Sequence, residues 1–344
     1  MYKVSILIPI YGVERFIERC ARSLFEQTYP NLEFVFVNDC SPDHSMAVLK
    51  EVIEDYHEKK DSVRVINHEM NKGLAAARNT ALFNSLGEFV YCVDSDDWLE
   101  PDTVELLMSR QLEKDSDIVS GNYLIHNENA DCLLVTRHYK DKEQMVLQMM
   151  QRTWDHFLAG KMIRRSLFIE NGLRWNEGLD VAEDRYMMTL LAYHASAYDQ
   201  VNSLVYHYER RNTRALTNTV DVQKVLRNQR QELGNVLLLE EFFRDKETDY
   251  QEACSHCVME ELERSLQTAI ECRAKDEYNK VGSIVRGRSE SEMQLIGWEN
   301  HGLKGWIKQR YGYIILSRRI HKVIRSFKKR IRGLLGSSSR IVCL

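Results

Sequence analysis

The chain has 344 residues, with 47 Lys and Arg against 51 Asp and Glu, a formal net charge of −4, and 28% charged and 44% hydrophobic residues. That mix excludes a collagen, a low-complexity disordered chain and a small disulfide scaffold. The length is enough for one large domain or two ordinary ones. The eight cysteines sit at irregular positions and form no paired framework, which predicts reduced thiols in an intracellular chain. The apolar run after Met1 is short and ends at Pro9 and Gly12, unlike a cleaved signal peptide. No stretch approaches the ~20 apolar residues of a spanning helix.

The first hundred residues alternate two periodicities. Val4 to Ile10 is a continuous apolar run and predicts a strand buried on both faces. Val13, Phe16, Ile17, Cys20 and Leu24 follow at helical spacing. Phe34 to Val37 predicts the next strand, with Ser41 and Pro42 as cap and first turn of a helix. Val63 to Ile66 predicts a third strand, Leu74 to Leu86 an Ala-rich helix, and Phe89 to Val93 a fourth strand. A helix opens near Pro101, and Ile118 to Ile125 fits a fifth strand. Such alternation predicts an α/β fold with a mostly parallel sheet, whose ligands sit beyond the C-terminal strand ends. From about residue 140 the pattern turns mostly helical, interrupted at 172–182, and residues 220–295 predict long helices. Cys254 and Cys257 fall on an apolar helix face and read as buried thiols rather than a zinc pair.

The predicted strand ends collect polar residues. Asp94, Ser95, Asp96 and Asp97 place three carboxylates in four residues, which repel unless a cation sits between them. Asp94 and Asp96 are two apart and share one side of an extended segment. Hard oxygen ligands of this kind suit Mn²⁺ or Mg²⁺ held together with substrate phosphates. Asp97 is expected to cap the helix near Pro101. Asp39 can accept hydrogen bonds from a base or ribose, or cap a helix. Tyr11 offers a ring face. Arg78, one turn past Gly73, can pair with a carboxylate of the site or with a phosphate.

Residues 4–11 (VSILIPIY), 35–45 (VFVNDCSPDHS), 71–79 (NKGLAAARN) and 94–98 (DSDDW), in that order, resemble glycosyltransferase family 2. The resemblance implies a GT-A type nucleotide-binding sandwich followed by a helical region. It implies an inverting, metal-dependent transferase using a nucleotide-sugar donor, a UDP-sugar foremost, with Mn²⁺ or Mg²⁺. By position, Pro9, Tyr11, Asp39 and Arg78 would cradle base and ribose. Asp94 would lie near ribose and metal, with Ser95 in the donor site, and Asp96 would be the direct metal ligand. Glu183 and Asp184 match the family's Glu-Asp motif, with Asp184 as base and Glu183 orienting the acceptor. Lys161 would lie on the acceptor side. Tyr206, Tyr208, Arg210, Arg211 and Thr217 resemble a segment that closes over the diphosphate, and His207 is not expected to be a ligand. Gly12, Cys40 and Ala215 depart from the pattern, which commonly has Asn, Gly and a small hydroxyl residue at these positions.

The implied organisation is a transferase domain over 1–218, with a nucleotide-sugar and metal half at 1–125 and an acceptor half at 126–218. A helical extension over 219–302 and a basic tail over 303–344 follow. That tail holds twelve Lys or Arg and no acidic residue, so the near-neutral total conceals an acidic body. Between Leu316 and Leu335 the apolar residues fall on one helical arc and the cations on the rest, as in a helix lying on an anionic membrane surface. The expected location is cytoplasmic, peripheral at the inner face of the cell membrane. A glycan or lipid-linked acceptor is expected, and no nucleic acid. Two other functions compete: a nucleotide-sugar binding protein without transfer, which would not need Glu183 and Asp184, and a nucleotidyltransferase, whose usual Gly-rich phosphate loop is not visible.

Overall fold

The computed structural model describes residues 1–151, 156–212 and 221–288. The expected tail at 303–344, Ala215 and Thr217 lie outside the described residues. The chain divides into two compact units, one beginning at Met1 and the other at Thr219.

The first unit is built on a nine-stranded sheet. Strand β1 (Val4–Ile10) is buried along its whole length and pairs in parallel with β2 (Leu32–Asn38) on one side and β4 (Phe89–Cys92) on the other. Strand β3 (Val63–Asn67) adds in parallel to β2 and forms an edge. Between them run α1 (Ile17–Phe25), α2 (Ser45–Asp55) and α3 (Leu74–Phe83). One face of α1 buries Ile17, Cys20, Ala21, Leu24 and Phe25. These pack with Val4, Ile6, Ile8 and Ile10 in the main core, together with side chains of α2 and of α4 (Thr103–Lys114). Each such aliphatic side chain contributes about 1.5–3 kcal/mol on burial. Leu7 and Val35 lie outside that cluster yet are fully buried, and α3 packs against β1 and β2. The unbroken apolar runs of β1 and β2 are therefore explained by cover on both faces.

Beyond β4 the sheet changes direction. The short β5 (Trp98–Leu99) precedes α4, and β6 (Ile118–His126) and β7 (Cys132–Leu134) follow it. Two further strands correct the expectation of a mostly helical segment after residue 140: β8 (Lys161–Arg164), antiparallel to β4 and β6, and β9 (Tyr198–Glu209), parallel to β6. β8 has only four residues. β9 pairs with β6 through register shifts between Ser120 and Tyr123, so neither shows a clean period of two. The helices of this half are α5 (Lys142–Met150), α6 (Ser166–Glu170) and α7 (Glu183–His194).

The second unit contains α8 (Val222–Phe243), α9 (Thr248–Glu271) and α10 (Lys275–Arg286), with α9 packed against the other two. Cys254 and Cys257 are buried on α9 among Val258, Leu262 and Leu266, as expected of small apolar thiols. Among the described residues no helix is long and apolar enough to cross a membrane.

Candidate active site

Because β1, β2 and β4 run parallel, their C-terminal ends lie along one edge, and the residues after them meet there. Pro9 is buried within β1, and Tyr11 just beyond it is 51% exposed. The Asp39 N–H donates to Ile10 O (3.0 Å), which ties the end of β2 to β1. The Asp39 carboxylate is buried and accepts from three protein donors. Oδ1 meets His68 Nδ1 at 2.7 Å and accepts from Lys72 N at 2.8 Å, while Oδ2 accepts from Gly73 N at 2.8 Å. Gly73 has φ +92, and a Cβ there would meet the Asp180 carboxylate. Asp180 in turn accepts from Ala75 N (2.9 Å) at the start of α3, so the loop before α7 is moored to the helix that carries Arg78.

The turn after β2 is organised differently from the Ser41–Pro42 cap expected. Helix α2 begins at Ser45, and Asp43 is the hub. Oδ1 accepts from the Ser41 hydroxyl, the Ser45 hydroxyl and Ser45 N, and Oδ2 accepts from Glu14 N. Against the cost of burial, the Ser45 and Ser41 bonds hold the Asp43 carboxyl down to about 2. Cys40 stands at φ 55, in the left-handed region where glycine is at ease. That is the physical reason glycine is common at this position.

The second cluster centres on Arg78, whose side chain is 2% exposed. Nη1 donates to Glu183 Oε1 (2.6 Å) and Asp184 Oδ1 (2.5 Å), and Nη2 donates to Asp94 Oδ1 (2.8 Å). Burial disfavours its charge, but Asp184, Asp94 and Glu183 together hold the guanidinium firmly protonated. Of the two partners open to Arg78 from sequence, the carboxylates are the ones engaged. Helix α7 places Glu183 and Asp184 in its first turn, behind Ala182 at φ 59. Asp184 Oδ2 also accepts from Leu158 N at 3.1 Å. Burial, then the neighbouring Asp184 charge, pushes Glu183 up to about 8. The two carboxylates differ in environment although they are adjacent in sequence.

The turn after β4 carries the remaining acids. Asp96 Oδ2 accepts from the Asn212 amide at 2.8 Å. Burial and the Asp94 charge push the Asp96 carboxyl up to about 6. Ser95 is buried beside it. Asp97 does not cap α4. Its oxygens accept from Glu209 N (2.7 Å) and the Tyr206 hydroxyl (2.6 Å), so it ties the turn to β9. Burial, with the Asp96 and Asp94 charges, raises its carboxyl well above the usual range. The Tyr206 hydroxyl also accepts from Asp94 N at 3.1 Å. Tyr206 is therefore fully buried as a brace behind the acidic turn rather than lying over a diphosphate. Among the described residues no three His, Cys, Asp or Glu side chains form a ready-made metal cage.

Other predicted residues are more dispersed. Arg210 is exposed. Arg211 is paired with Glu209, as is Arg19. Lys161 is buried, and its ammonium donates to the Tyr123 hydroxyl (3.0 Å) and to Phe157 O, bracing the turn that carries Leu158. His207 bonds His126 (3.0 Å) and Glu100 (2.7 Å) and stacks on Trp98. His68 was not anticipated. Its place just after β3, ahead of the Asn71-Lys72-Gly73 turn, was the available signal.

Comparison with known proteins fits this geometry. The family described as Glycosyl transferase family 2 matches residues 5–172. Over this segment the chain resembles glycosyltransferase family 2. It is 44% identical over 127 residues to Glycosyltransferase GlyA of Streptococcus pneumoniae, a match covering 37% of this chain and 18% of that protein. It is 31% identical over 212 residues to the Putative glycosyltransferase EpsH of Bacillus subtilis, covering 60% of each. It is 29% identical over 225 residues to the chondroitin synthase of Pasteurella multocida, covering 64% of this chain and 22% of that one. The chain thus spans three fifths or less of the length of these relatives. S. aureus TarS 1-349 in complex with UDP-GlcNAc has a TM-score of 0.53 at 21% identity, covering 83% of this chain and 92% of that one. The mannosyltransferase PcManGT from Pyrobaculum calidifontis, in complex with GDP-Man and Mn²⁺, has a TM-score of 0.53 at 17% identity, covering 92% and 83%. The fold of this chain is of the GT-A type.

Proposed function

We propose that the chain transfers a sugar from a nucleoside diphosphate donor, a UDP-sugar foremost, to a hydroxyl of a glycan or lipid-linked acceptor, with inversion at the anomeric carbon. One observation carries this reading: Arg78 bonds a carboxylate of the donor-side strand end, Asp94, and both carboxylates of the α7 N-terminus, Glu183 and Asp184. Donor site and base are thereby held on one buried guanidinium. Asp184 takes the proton of the acceptor hydroxyl. Glu183, pushed up to about 8, keeps its proton near neutrality and orients the acceptor. Tyr11 and Asp39 receive the base. Lys161 acts from within, by holding the turn whose Leu158 N–H supports Asp184.

The acidic turn fits a divalent cation. Asp94 and Asp96 bring hard oxygen donors two residues apart, and the Asp96 carboxyl is raised first by burial and then by the Asp94 charge. Asp94 and Asp96 would hold Mn²⁺ or Mg²⁺ there, which would supply positive charge against the leaving diphosphate. Support comes from the Mn²⁺ and nucleotide sugars bound by the structural neighbours. The chondroitin synthase relative favours polysaccharide synthesis. The basic amphipathic pattern of Leu316–Leu335 favours work at a membrane surface, and deletion of residues 313–344 should then abolish binding to anionic liposomes.

The deciding assay is a panel of nucleotide sugars with Mn²⁺, scored for slow donor hydrolysis and for transfer. One donor should be turned over by the native chain and not by Asp96→Ala. Asp184→Asn should lower kcat by about 10²–10⁴ while nucleotide binding persists. Normal turnover by Asp184→Asn would remove the base assignment.

A further inference from the structure

We infer that His68 is a positioning residue that leaves Asp39 a single acceptor site, and so restricts the donor to a base presenting one isolated imide N–H, the uracil type, against guanine. The inference rests on the transferase reading above.

A carboxylate offers about four lone-pair sites, two on each oxygen. Three of those on Asp39 are filled by the protein. Oδ1 takes two, His68 Nδ1 at 2.7 Å and Lys72 N at 2.8 Å. Oδ2 takes one, Gly73 N at 2.8 Å. A carboxylate only accepts, so Nδ1 of His68 carries the hydrogen, an assignment made from the bonding network. The other ring nitrogen, Nε2, lies 2.9 Å from Thr80 Oγ1, a hydroxyl able to donate to it. The ring is thus held from both sides, and its side chain is only 5% exposed.

What remains is one lone pair on Oδ2. Uracil presents one N–H between two carbonyls, which matches a single acceptor. Guanine presents adjacent N1–H and N2–H donors, which a carboxylate meets best with both oxygens, and here Oδ1 is already occupied. Cytosine and adenine carry no hydrogen on the corresponding ring nitrogen. Discrimination by an unmatched buried donor is strong, because the lost bond is not replaced by water. His68 itself touches no ligand. It acts through Asp39, by filling Oδ1 and fixing the plane of the carboxylate.

The test is calorimetric titration of the full chain with UDP, GDP and CDP in the presence of Mn²⁺, for wild type, His68→Leu, His68→Asn and Thr80→Val. Wild type should bind UDP about tenfold or more tighter than GDP or CDP. His68→Leu frees an Oδ1 site, so the UDP to GDP ratio should fall at least about fivefold. His68→Asn retains an N–H near the Nδ1 position and should restore the ratio to within about twofold of wild type. Thr80→Val should shift the ratio in the same direction as His68→Leu, and it carries the test if His68→Leu does not fold. Wild type binding GDP as tightly as UDP would overturn the inference, as would an unchanged ratio in a folded His68→Leu or, failing that, in Thr80→Val. Either result leaves the transferase reading standing if a donor is still hydrolysed. Absence of binding by any nucleotide, with no donor hydrolysed, would remove the transferase reading and this inference with it.

Discussion

Asp39 and Asp94 stand at the ends of β2 and β4, one strand to either side of β1, and are held in opposite ways. Asp39 accepts a ring N–H and two backbone N–H groups, none shared with another carboxylate among the described contacts. Asp94 shares one buried guanidinium with Glu183 and Asp184, and Asp96 and Asp97 lie within three residues of it. The first site is filled by a ring N–H and two backbone N–H groups. In the second, burial first and the neighbouring carboxylate charges second raise Asp96, Asp97 and Glu183. A satisfied carboxylate reads the edge of a ligand. A crowded set of carboxylates takes up a cation or a proton.

The sharpest way to break this contrast is Arg78→Met. The buried Glu183 and the half-buried Asp94 and Asp184 would lose their common partner, with an expected loss of about 3–5 kcal/mol in urea unfolding. The loss should be greater at pH 8 than at pH 5, where protons can replace the guanidinium. Equal loss at both pH values would show that the carboxylates are not crowded.

Glu183→Gln tests the same cluster from the acidic side. The folded value of Glu183, about 8, lies above its ordinary 4.5. Its contribution to stability is therefore full below about 4.5 and lost as pH rises through about 8. The melting temperature of wild type should fall between pH 5.5 and 8.5 more than that of Glu183→Gln, by roughly 2–4 °C. Parallel curves would mean that Glu183 does not hold its proton in the folded chain.

Asp43 sharpens the opposite side. Its folded value of about 2 lies below the ordinary 3.8, so its stabilisation is present above 3.8 and lost as pH falls through about 2. Asp43→Ala should cost about 1–2 kcal/mol at pH 7, after allowing for partial exposure. The difference from wild type should shrink below pH 3, and a constant difference would place the effect elsewhere. The smallest expected change is Cys40→Gly. Relief of a left-handed cysteine, at φ 55, less the extra unfolded-state freedom of glycine, should raise stability by about 0.5 kcal/mol. A lower denaturation midpoint would contradict the strain at Cys40.

The N-terminal half was legible because β1, β2 and β4 are buried on both faces, and continuous apolar runs state this directly. Val4–Ile10 and Phe89–Cys92 appear in the fold nearly as the pattern predicts. β8 and β9 were not legible. Four residues are too few to show a period, and a strand with shifted register does not keep one. The polar positions at the strand ends were legible as a class, since acids following apolar strands have few structural uses. Their partners were not. Asp97 was expected at a helix cap and instead holds Tyr206 and Glu209 N, more than a hundred positions away. Lys161 was expected near an acceptor and is buried against Tyr123.

The sequence by itself determined the resemblance to glycosyltransferase family 2, the parallel edge where polar residues collect, and which residue types stand there. Hydrophobic periodicity and short-range spacing are local properties of a chain, and they survive without tertiary contacts. Only the tertiary structure decided that Arg78 joins Asp94 to Glu183 and Asp184, and that His68 and two backbone amides leave Asp39 one free acceptor site. Those outcomes depend on loops about 30 and 105 positions apart arriving at one point. Burial, and with it the protonation of each carboxylate, exists only once they have met.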